Sequence, residues 1–367
     1  MHFHVPAAIA DQSWRAIAIV TALALIGAVA LYSVAGGSGS PWAVTHIMRF
    51  SVFLTMALVM SYIPPDTYKP LLIPAYGASL VLLLVVLAIG QIGGGARSWI
   101  NLGFMQLQPS ELVKLTLLAV LARFFEMLPP RATATFAGMW PPAALTLVPF
   151  GLIAIQPDLG TAMLLLLSVV FLTFLAGLPL RLYIGAGLAA LVVIPLAYFY
   201  LLMPHQQRRV TIFLNPESDP LGAGYHISQS FIAIGSGGLF GKGYLQGSQS
   251  QLHYLPETHT DFIFPAFAEE WGVVGAVVVI ALFWLLLRWG WQVARSATTR
   301  FEQLLAAGLT CSLFLYISIN LLMVTGFAPV VGIPLPLVSY GGSAMLTVML
   351  SLGFLMSIDR KNRRMNR

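Results

Sequence analysis

Ten apolar runs recur along the chain, and each is long enough for a helix to cross the hydrocarbon core of a membrane. Only 9% of the residues are charged, against about a quarter in soluble domains. The pattern predicts an all-α polytopic membrane protein in which residues 1–367 form a single domain. The expected transmembrane helices are 16–35, 43–63, 69–90, 111–128, 141–157, 159–176, 180–203, 264–288, 301–325 and 340–358.

Two features bear on that count. Only Gln156-Pro157-Asp158 separates the runs 141–157 and 159–176, so they form either a tight hairpin or one broken helix, and nine spans is the alternative. The first run exceeds the 7–15 apolar residues that are typical of a signal peptide, which predicts that it is retained as a span.

The positive residues predict the orientation, because Lys and Arg favour cytoplasmic loops. With a cytoplasmic N-terminus, thirteen of the 19 lie at the inner side, and both termini are cytoplasmic. They are Arg15, Lys69, Arg123, Arg131, Arg181, Arg288, Arg295, Arg300, Arg360, Lys361, Arg363, Arg364 and Arg367. Basic residues at the ends of apolar runs do not form a nucleic-acid patch, so no nucleic-acid partner is expected. The single cysteine, Cys311, excludes an internal disulfide and is expected to be a buried thiol.

This orientation places three long loops outside, at 91–110, 204–263 and 326–343, and the largest lies between spans 7 and 8. The largest contains the glycine-rich sequence GSGGLFGKGY at 235–244. Its glycines permit positive φ or close backbone approach, and it lacks the strand and helix context of a phosphate-binding loop. We interpret it as a re-entrant or surface-lying segment.

Ionisable groups crowd against an apolar run in the stretch 253–271, which contains His253, His259, Asp261, Glu269 and Glu270. A solvated loop before a helix is the simpler interpretation. However, a membrane protein with few charges usually places them where chemistry or transport occurs. Asp261 has no cation adjacent in the sequence, and a carboxylate partly withdrawn from water can act as a base. His259 is its candidate hydrogen-bond partner.

The fourth span opens with Gln108-Pro109-Ser110, followed by Glu111 and Lys114 on one helix face. Two interpretations are equally supported by the residues alone. The pair either neutralises the span for membrane insertion or forms a charged wall of a cavity that opens outward.

Three further residues have both a structural and a functional interpretation. Asp158 follows Gln156-Pro157, where N-terminal capping of a new helix is the structural role. Arg97 is suited to a phosphate through its bidentate guanidinium, or to the membrane surface beside Trp99. Ser339 lies among small residues at the mouth of the last span, where tight helix packing explains the glycines.

Four motifs in this order resemble the SEDS family (shape, elongation, division and sporulation) of bacterial cell-wall polymerases over nearly the whole chain. They are QPSELVKL at 108–115, QPDLGT at 156–161, LPETHTDFIF at 255–264 with AEE at 268–270, and PLVSYGGS at 336–343. GSQSQLHYLPE at 247–257 and PVVGIPLPLVSY at 329–340 favour the RodA branch over the division branch, FtsW. Pro265 departs from the family pattern and is tolerated if it lies in the first helical turn.

The resemblance implies polymerisation of lipid II into glycan strands on the outer face of the bacterial inner membrane during cell elongation. The essential aspartate of the family corresponds to Asp261, which acts as general base on the attacking hydroxyl. The predicted substrate-binding residues are Arg97, Ser110, Glu111, Lys114, Asp158, Lys242, His259, Thr260, Glu269 and Ser339. The cations expected to stabilise the leaving diphosphate are Arg97, Lys114, Arg208, Arg209 and Lys242.

A divalent cation, Mg²⁺ or Mn²⁺, is a further candidate at the diphosphate, although no dedicated ligand spacing is present. The expected partners are lipid II, the nascent glycan strand, a class B penicillin-binding transpeptidase and membrane proteins of the elongation complex. Three alternatives stay open: a flippase for the lipid-linked precursor, a scaffold that anchors the transpeptidase, and the division-specific paralogue.

Overall fold

The computed structural model describes residues 11–93, 96–103, 105–215, 223–252, 254–255 and 257–365. Its helices are α1 (Trp14–Val34), α2 (Ala43–Ser61), α3 (Pro65–Tyr68), α4 (Leu72–Ile89), α5 (Pro109–Met127), α6 (Phe136–Ile155), α7 (Leu159–Leu175), α8 (Leu180–Tyr200), α9 (Pro204–Leu214), α10 (Ala223–Ser236), α11 (Ser248–Gln251), α12 (Ile263–Ser296), α13 (Arg300–Val324) and α14 (Gly342–Met365). Three strands, β1 (Gln91–Gly93), β2 (Ala96–Asn101) and β3 (Gln106–Leu107), lie between α4 and α5.

Ten helices coincide with the ten predicted spans, and the protein is a polytopic helical membrane protein. Within the described ranges, eight are long and apolar enough to cross a membrane, with α3 and α4 counted as one span. The other two are α7, which has 17 residues, and α5, which carries four charged side chains. Because α6 ends at Ile155 and α7 begins at Leu159, the closely spaced runs form two helices.

Burial distinguishes central helices from peripheral ones. In the most apolar 18-residue window of each helix, 78% of the residues are buried in α14, 61% in α13 and none in α8. Small residues allow close packing near the centre: a Cβ added at Gly353 would lie 3.2 Å from the Cα of Ala57, and one at Gly308 would lie 2.8 Å from Leu172. The site is therefore expected around α13 and α14.

The two ends of the described chain meet on one face of the bundle. The Arg364 guanidinium lies 3.3 Å from an Asp11 carboxylate oxygen, and the Ser13 hydroxyl donates to Asp359 over 2.6 Å. The two ends of the described chain are thus on the same side, as ten spans require.

The outer loop predicted at 91–110 contains a small antiparallel sheet in the order β1-β2-β3, a detail that the all-α prediction did not include. Strand β2 pairs with β1 through Gln91 and Trp99, and with β3 through Ile100 and Leu107. The strands contain two to six residues, too few for a clear alternating pattern in the sequence.

The large loop between α8 and α12 is also more ordered than expected, because it contains α9, α10 and α11. Its glycine-rich segment, residues 235–251, packs against a kink in α12 at Gly272, where φ is 65°. The kink releases main-chain groups that this segment then binds: Lys242 N donates to Glu269 O, and Val273 N donates to Gly238 O. Residues 235–251 therefore pack against α12 through their main chain, while Leu239 and Phe240 are exposed; a re-entrant or surface-lying position of the segment in the membrane stays a prediction.

Glycine is required at this contact. Gly238 and Gly241 have φ of 56° and 82°, and a Cβ at Gly241 would lie 2.0 Å from the Glu270 carbonyl oxygen. The predicted close backbone approach is confirmed, and its partner is helix α12. Helix α12 itself runs on to Ser296, past the predicted end at 288.

Candidate functional site

Asp261 lies in the turn just before α12, at the end of the helix opposite the two chain termini, and it is half-buried. Asn320 of α13 positions its backbone, because the Asn320 side-chain amide donates to the Asp261 carbonyl over 3.0 Å. The same amide donates to the Ile333 carbonyl over 2.6 Å. One buried side chain thus joins the Asp261 turn to the loop 326–341.

Gly332, in that loop, lies close to the Asp261 carboxylate. Its φ is 76°, and a Cβ built there would lie 3.6 Å from Asp261 Oδ2. Glycine suits this position because it adopts the left-handed backbone readily, and it places no side chain beside the carboxylate.

His259 connects the same turn to α2 and to the start of α14. Its imidazole stacks on Trp42 with ring centroids 4.5 Å apart, and its carbonyl accepts from Tyr340 N over 2.8 Å. Burial lowers the pKa of His259 from its ordinary value, and the charge of Glu257, 4.0 Å away, opposes this. The ring is therefore mainly neutral at pH 7. Its hydrogen bond to Asp261 stays a prediction.

Arg49 is a cation near the site that the sequence did not indicate. It lies on α2 with its guanidinium carbon 4.9 Å from the Tyr340 ring centroid. A Cβ at Gly342 would lie 3.3 Å from an Arg49 nitrogen, so the guanidinium is next to the first turn of α14. In the sequence Arg49 is only a charge within an apolar run, and nothing there shows which helices it faces.

Glu111 and Lys114 form a buried ion pair, as their three-residue spacing predicted. Lys114 Nζ lies 2.7 Å from Glu111 Oε1, and both side chains are at most 4% exposed. The Tyr316 hydroxyl donates to the same oxygen over 3.4 Å, and Lys114 Nζ lies 4.6 Å from the Tyr316 ring centroid. The pair is therefore closed over by α13.

The other carboxylate oxygen of this pair, Glu111 Oε2, has no hydrogen-bond partner within the described part of the chain. It borders a cavity of about 30 Å³ that is also lined by Thr347, whose hydroxyl is equally unpartnered there. A cavity of this size with two polar atoms is large enough to hold one water molecule.

Tyr316 is a common neighbour of three carboxylates. Glu111, Asp158 and Asp261 all act electrostatically on its hydroxyl. These three acidic groups come from α5, the start of α7 and the turn before α12, and of the three it is Glu111 that accepts a hydrogen bond from the Tyr316 hydroxyl.

Asp158 caps α7, as its sequence position indicated: Oδ1 accepts from Thr161 N over 3.1 Å. Its second oxygen accepts from the Gln108 side chain over 2.8 Å. The Ser343 hydroxyl accepts from Gln108 N over 2.8 Å, which fixes the start of α5 against α14. Ser110 is buried beside this junction. Capping does not exclude a substrate contact for Asp158, which stays a prediction.

Lys242 and Glu269, both predicted to bind substrate, bind each other. Lys242 Nζ lies 2.5 Å from Glu269 Oε1, and Glu269 is fully buried. Glu269 also accepts from the Ser248 hydroxyl, and Glu270 accepts from Ser33 over 2.5 Å. These carboxylates thus attach the glycine-rich segment and α1 to α12, which accounts for their burial.

The structure describes most of the remaining predicted residues. Ser339 is buried, and its hydroxyl accepts from Leu335 N over 2.8 Å within the loop 326–341. The Thr260 hydroxyl donates to Glu257 Oε2 over 3.1 Å. Pro265 lies in the first turn of α12, where a proline does not disrupt the helix. Cys311 is a buried thiol, as predicted. Arg208 is exposed on α9. His253 and the side chains of Arg97 and Arg209 lie outside the described residues.

Within the ranges that the structure describes, there is no group of three or more His, Cys, Asp or Glu side chains suited to a metal ion. A cation bound here would therefore share few protein ligands. Mg²⁺ commonly binds in that way, through one or two carboxylates and substrate phosphates.

Comparison with known proteins gives consistent results. A family profile described as cell cycle protein FtsW/RodA/SpoVE matches residues 13–364. The chain is 44% identical to the peptidoglycan glycosyltransferase MrdB of Escherichia coli K12, over 93% of this chain and 91% of MrdB. Two solved structures cover 96% of the chain. One is 34% identical with a TM-score of 0.80 and belongs to a peptidoglycan synthase complex that coordinates polymerization and crosslinking. The other, the rod shape determining protein RodA of Thermus thermophilus, is 31% identical with a TM-score of 0.72. The match covers 98% of the chain in the first structure and 97% of the chain in the second.

Proposed function

The chain belongs to the FtsW/RodA/SpoVE family of cell cycle proteins, and we propose that it joins lipid-linked sugars into peptidoglycan with Asp261 as the general base. It is a multi-pass membrane peptidoglycan glycosyltransferase. The names of its relatives favour an enzyme over the transporter and the scaffold that the sequence left open.

The observation that carries the proposal is the placement of Asp261. It is half-buried, its backbone is held by Asn320, and its carboxylate lies beside Gly332, which has no side chain. A base must lie within about 3 Å of the proton that it removes, so a fixed backbone and an open approach are both required. Glu269, by comparison, is fully buried and bound to Lys242.

In the reaction, a sugar hydroxyl attacks the anomeric carbon that is bonded to undecaprenyl diphosphate. The new carbon–oxygen bond forms as the bond to the diphosphate oxygen breaks. Asp261 accepts the hydroxyl proton, and undecaprenyl diphosphate leaves with the bonding electrons. The substrate is lipid II, and the product is a glycan strand longer by one disaccharide.

The leaving diphosphate gains negative charge, so a cation near it lowers the barrier. Lys114 and Lys242 are each bound to a glutamate, which reduces their availability. Arg49 lies beside Tyr340, whose backbone is bonded to the His259 carbonyl in the Asp261 turn. From this placement beside the Asp261 turn, we assign the diphosphate contact to Arg49 in addition to the arginines of the outer loops.

A divalent cation, Mg²⁺ or Mn²⁺, fits this donor set only as an ion shared with the substrate, with the half-buried carboxylate of Asp261 as a protein ligand. When bound there it would offset the charge of the diphosphate.

The setting follows from the charge distribution and the relatives. The end of the bundle that is rich in arginine and lysine lies at the cytoplasm. Asp261, at the opposite end, therefore lies on the periplasmic side of the inner membrane. The function serves cell elongation, since one structural relative is a rod shape determining protein. The partner is a class B penicillin-binding transpeptidase within the elongation complex, because another relative belongs to a complex that couples polymerization to crosslinking.

Purified protein with labelled lipid II tests the enzyme against the transporter. In detergent, where no membrane separates two compartments, we expect glycan polymer from the wild type. In liposomes, the same protein should not move lipid II between leaflets faster than empty liposomes do. Translocation without polymer in either preparation would contradict the proposal.

A further inference from the structure

A second candidate site lies on the lipid-facing side of the bundle, far along α12 from Asp261. It is an apolar groove of about 810 Å³ between α7, α8, α12 and α13. That volume lies within the range of about 300–1,000 Å³ that is usual for ligand pockets. Its walls carry leucine, valine, phenylalanine and tryptophan side chains, and Cys311 lies in its lining.

The groove exists because α8 packs loosely. None of the described residues of α8 is buried. Near its start, Tyr183 joins α7 by donating a hydrogen bond of 2.9 Å to the Thr173 hydroxyl. A lipid-facing gap of this size in a membrane fills with acyl chains, because leaving it empty would forfeit the contacts of its lining.

Charge at one end of the groove indicates the headgroup. Arg288 lines the groove, is exposed, and has its guanidinium carbon 5.4 Å from the Trp284 ring centroid. Arg181 is exposed next to the lining residue Leu180. Within the described ranges, neither arginine forms an ion pair with a carboxylate within 4.0 Å.

The arginine end of the groove lies toward the cytoplasm. It is formed by the last turns of α7 and the first turn of α8, the side on which the chain termini meet. The tryptophans there, Trp284 and Trp291, are of the type that occupies membrane interfaces. The cytoplasmic leaflet is also the one whose anionic lipids attract arginines near the membrane surface.

We propose that this groove binds an anionic phospholipid of the cytoplasmic leaflet. The phosphate binds Arg288, with Arg181 beside it, and an acyl chain packs against Cys311 and the apolar walls. Binding joins α8 to the body of the bundle. The proposal does not depend on glycosyl transfer, because it concerns the opposite leaflet from Asp261 and its test measures no activity.

The single cysteine provides the test, since Cys311 is the only cysteine in the chain and lines the groove. The full-length protein is placed in nanodiscs of dioleoylphosphatidylglycerol or of dioleoylphosphatidylcholine, which have the same chains and differ in headgroup charge. The rate of Cys311 alkylation by a membrane-permeant maleimide is then measured. We expect alkylation at least about fivefold slower with phosphatidylglycerol, a ratio that corresponds to about 1 kcal/mol of preferential occupancy.

Two arginine variants separate a site from general surface charge. Arg288→Gln should abolish the difference between the two lipids, and Arg288→Lys should keep most of it. Arg295→Gln is the matched control, an exposed arginine on the same helix outside the groove lining, and it should behave as the wild type. If Arg288→Gln fails to fold, the wild type and Arg288→Lys still decide the question.

Several outcomes would overturn the proposal. Equal alkylation in the two lipids would show that the headgroup is not recognised, and an unchanged difference in Arg288→Gln would remove Arg288 from the site. If Arg295→Gln also abolished the difference in alkylation between the two lipids, the effect would be one of general surface charge. Protection by undecaprenyl phosphate in phosphatidylcholine nanodiscs that exceeds protection by phosphatidylglycerol would assign the groove to an isoprenoid.

Discussion

The side-chain amide of Asn320 donates a hydrogen bond of 3.0 Å to the main-chain carbonyl of Asp261. A second bond from the same nitrogen reaches the Ile333 carbonyl. The position of the proposed base therefore depends on a fully buried residue that is 59 positions away in the sequence.

Asn320→Ala should lower glycan synthesis by about 10- to 100-fold, because small displacements of a catalytic group cost up to that factor. It should also lower the free energy of unfolding by about 1–3 kcal/mol, since two carbonyls lose their donor. Ser357→Ala is the control, as it removes a buried bond to the Ile63 carbonyl. Thermal unfolding and lipid II polymerisation of both variants check this: a similar loss of activity in both would assign Asn320 to stability alone.

Gly332→Ala tests the space beside the carboxylate. An alanine at φ of 76° is strained by roughly 1–2 kcal/mol. Its Cβ would also contact Asp261 Oδ2, so we expect activity to fall by about tenfold or more. Gly177→Ala is the matched control, with φ of 95° and nothing within 4 Å of the added Cβ. The two variants should be equally destabilised, and only Gly332→Ala should lose polymerisation. Full activity in Gly332→Ala would show that this space is not used.

Lys114→Met leaves Glu111 as an uncompensated buried charge, so we expect a loss of about 3–5 kcal/mol in the free energy of unfolding. Adding Glu111→Gln should recover most of that stability without recovering activity. Lys69→Met is the comparison, because the Lys69–Glu126 pair is 21% and 25% exposed and should cost about 1 kcal/mol or less. Denaturation in detergent measures stability. Full activity of the double variant would reduce the pair to a device for membrane insertion.

Acidification should destabilise the folded protein through His259. Burial lowers its pKa in the folded state, whereas the unfolded chain takes up a proton near pH 6.5. Between these two pKa values the unfolded state holds more protons, so the free energy of unfolding falls as the pH falls below about 6.5. His259→Phe keeps a ring against Trp42 and removes the titration. Thermal midpoints from pH 5 to 8 should therefore fall more steeply in the wild type than in the variant; parallel curves would contradict this.

The sequence was sufficient for features that depend on local pattern. Apolar length predicted the ten helices, the three-residue spacing predicted the Glu111–Lys114 pair, and Gln156-Pro157 predicted the cap at Asp158. Each of these is determined by residues within one or two helical turns.

Features that depend on distant partners could not be predicted. Asn320 and Tyr316 are merely two polar residues four apart in an apolar helix, and their role appears only when the loop 326–341 and the Asp261 turn are in place. The bond between Lys242 and Glu269 could not be predicted, because the two residues are 27 positions apart in the sequence. The strands at 91–107 are too short to show their period.

The central claim is that Asp261 is the general base, and Asp261→Asn tests it most directly. The change keeps the shape of the side chain and removes the proton acceptor, so polymerisation of labelled lipid II should fall by roughly 10²–10⁴-fold. Binding of lipid II and detergent-stable yield should be unchanged. Glu257→Gln is the control, since that carboxylate is 65% exposed in the same turn, and it should polymerise as the wild type. A folded Asp261→Asn protein that polymerises lipid II at the wild-type rate would contradict the account.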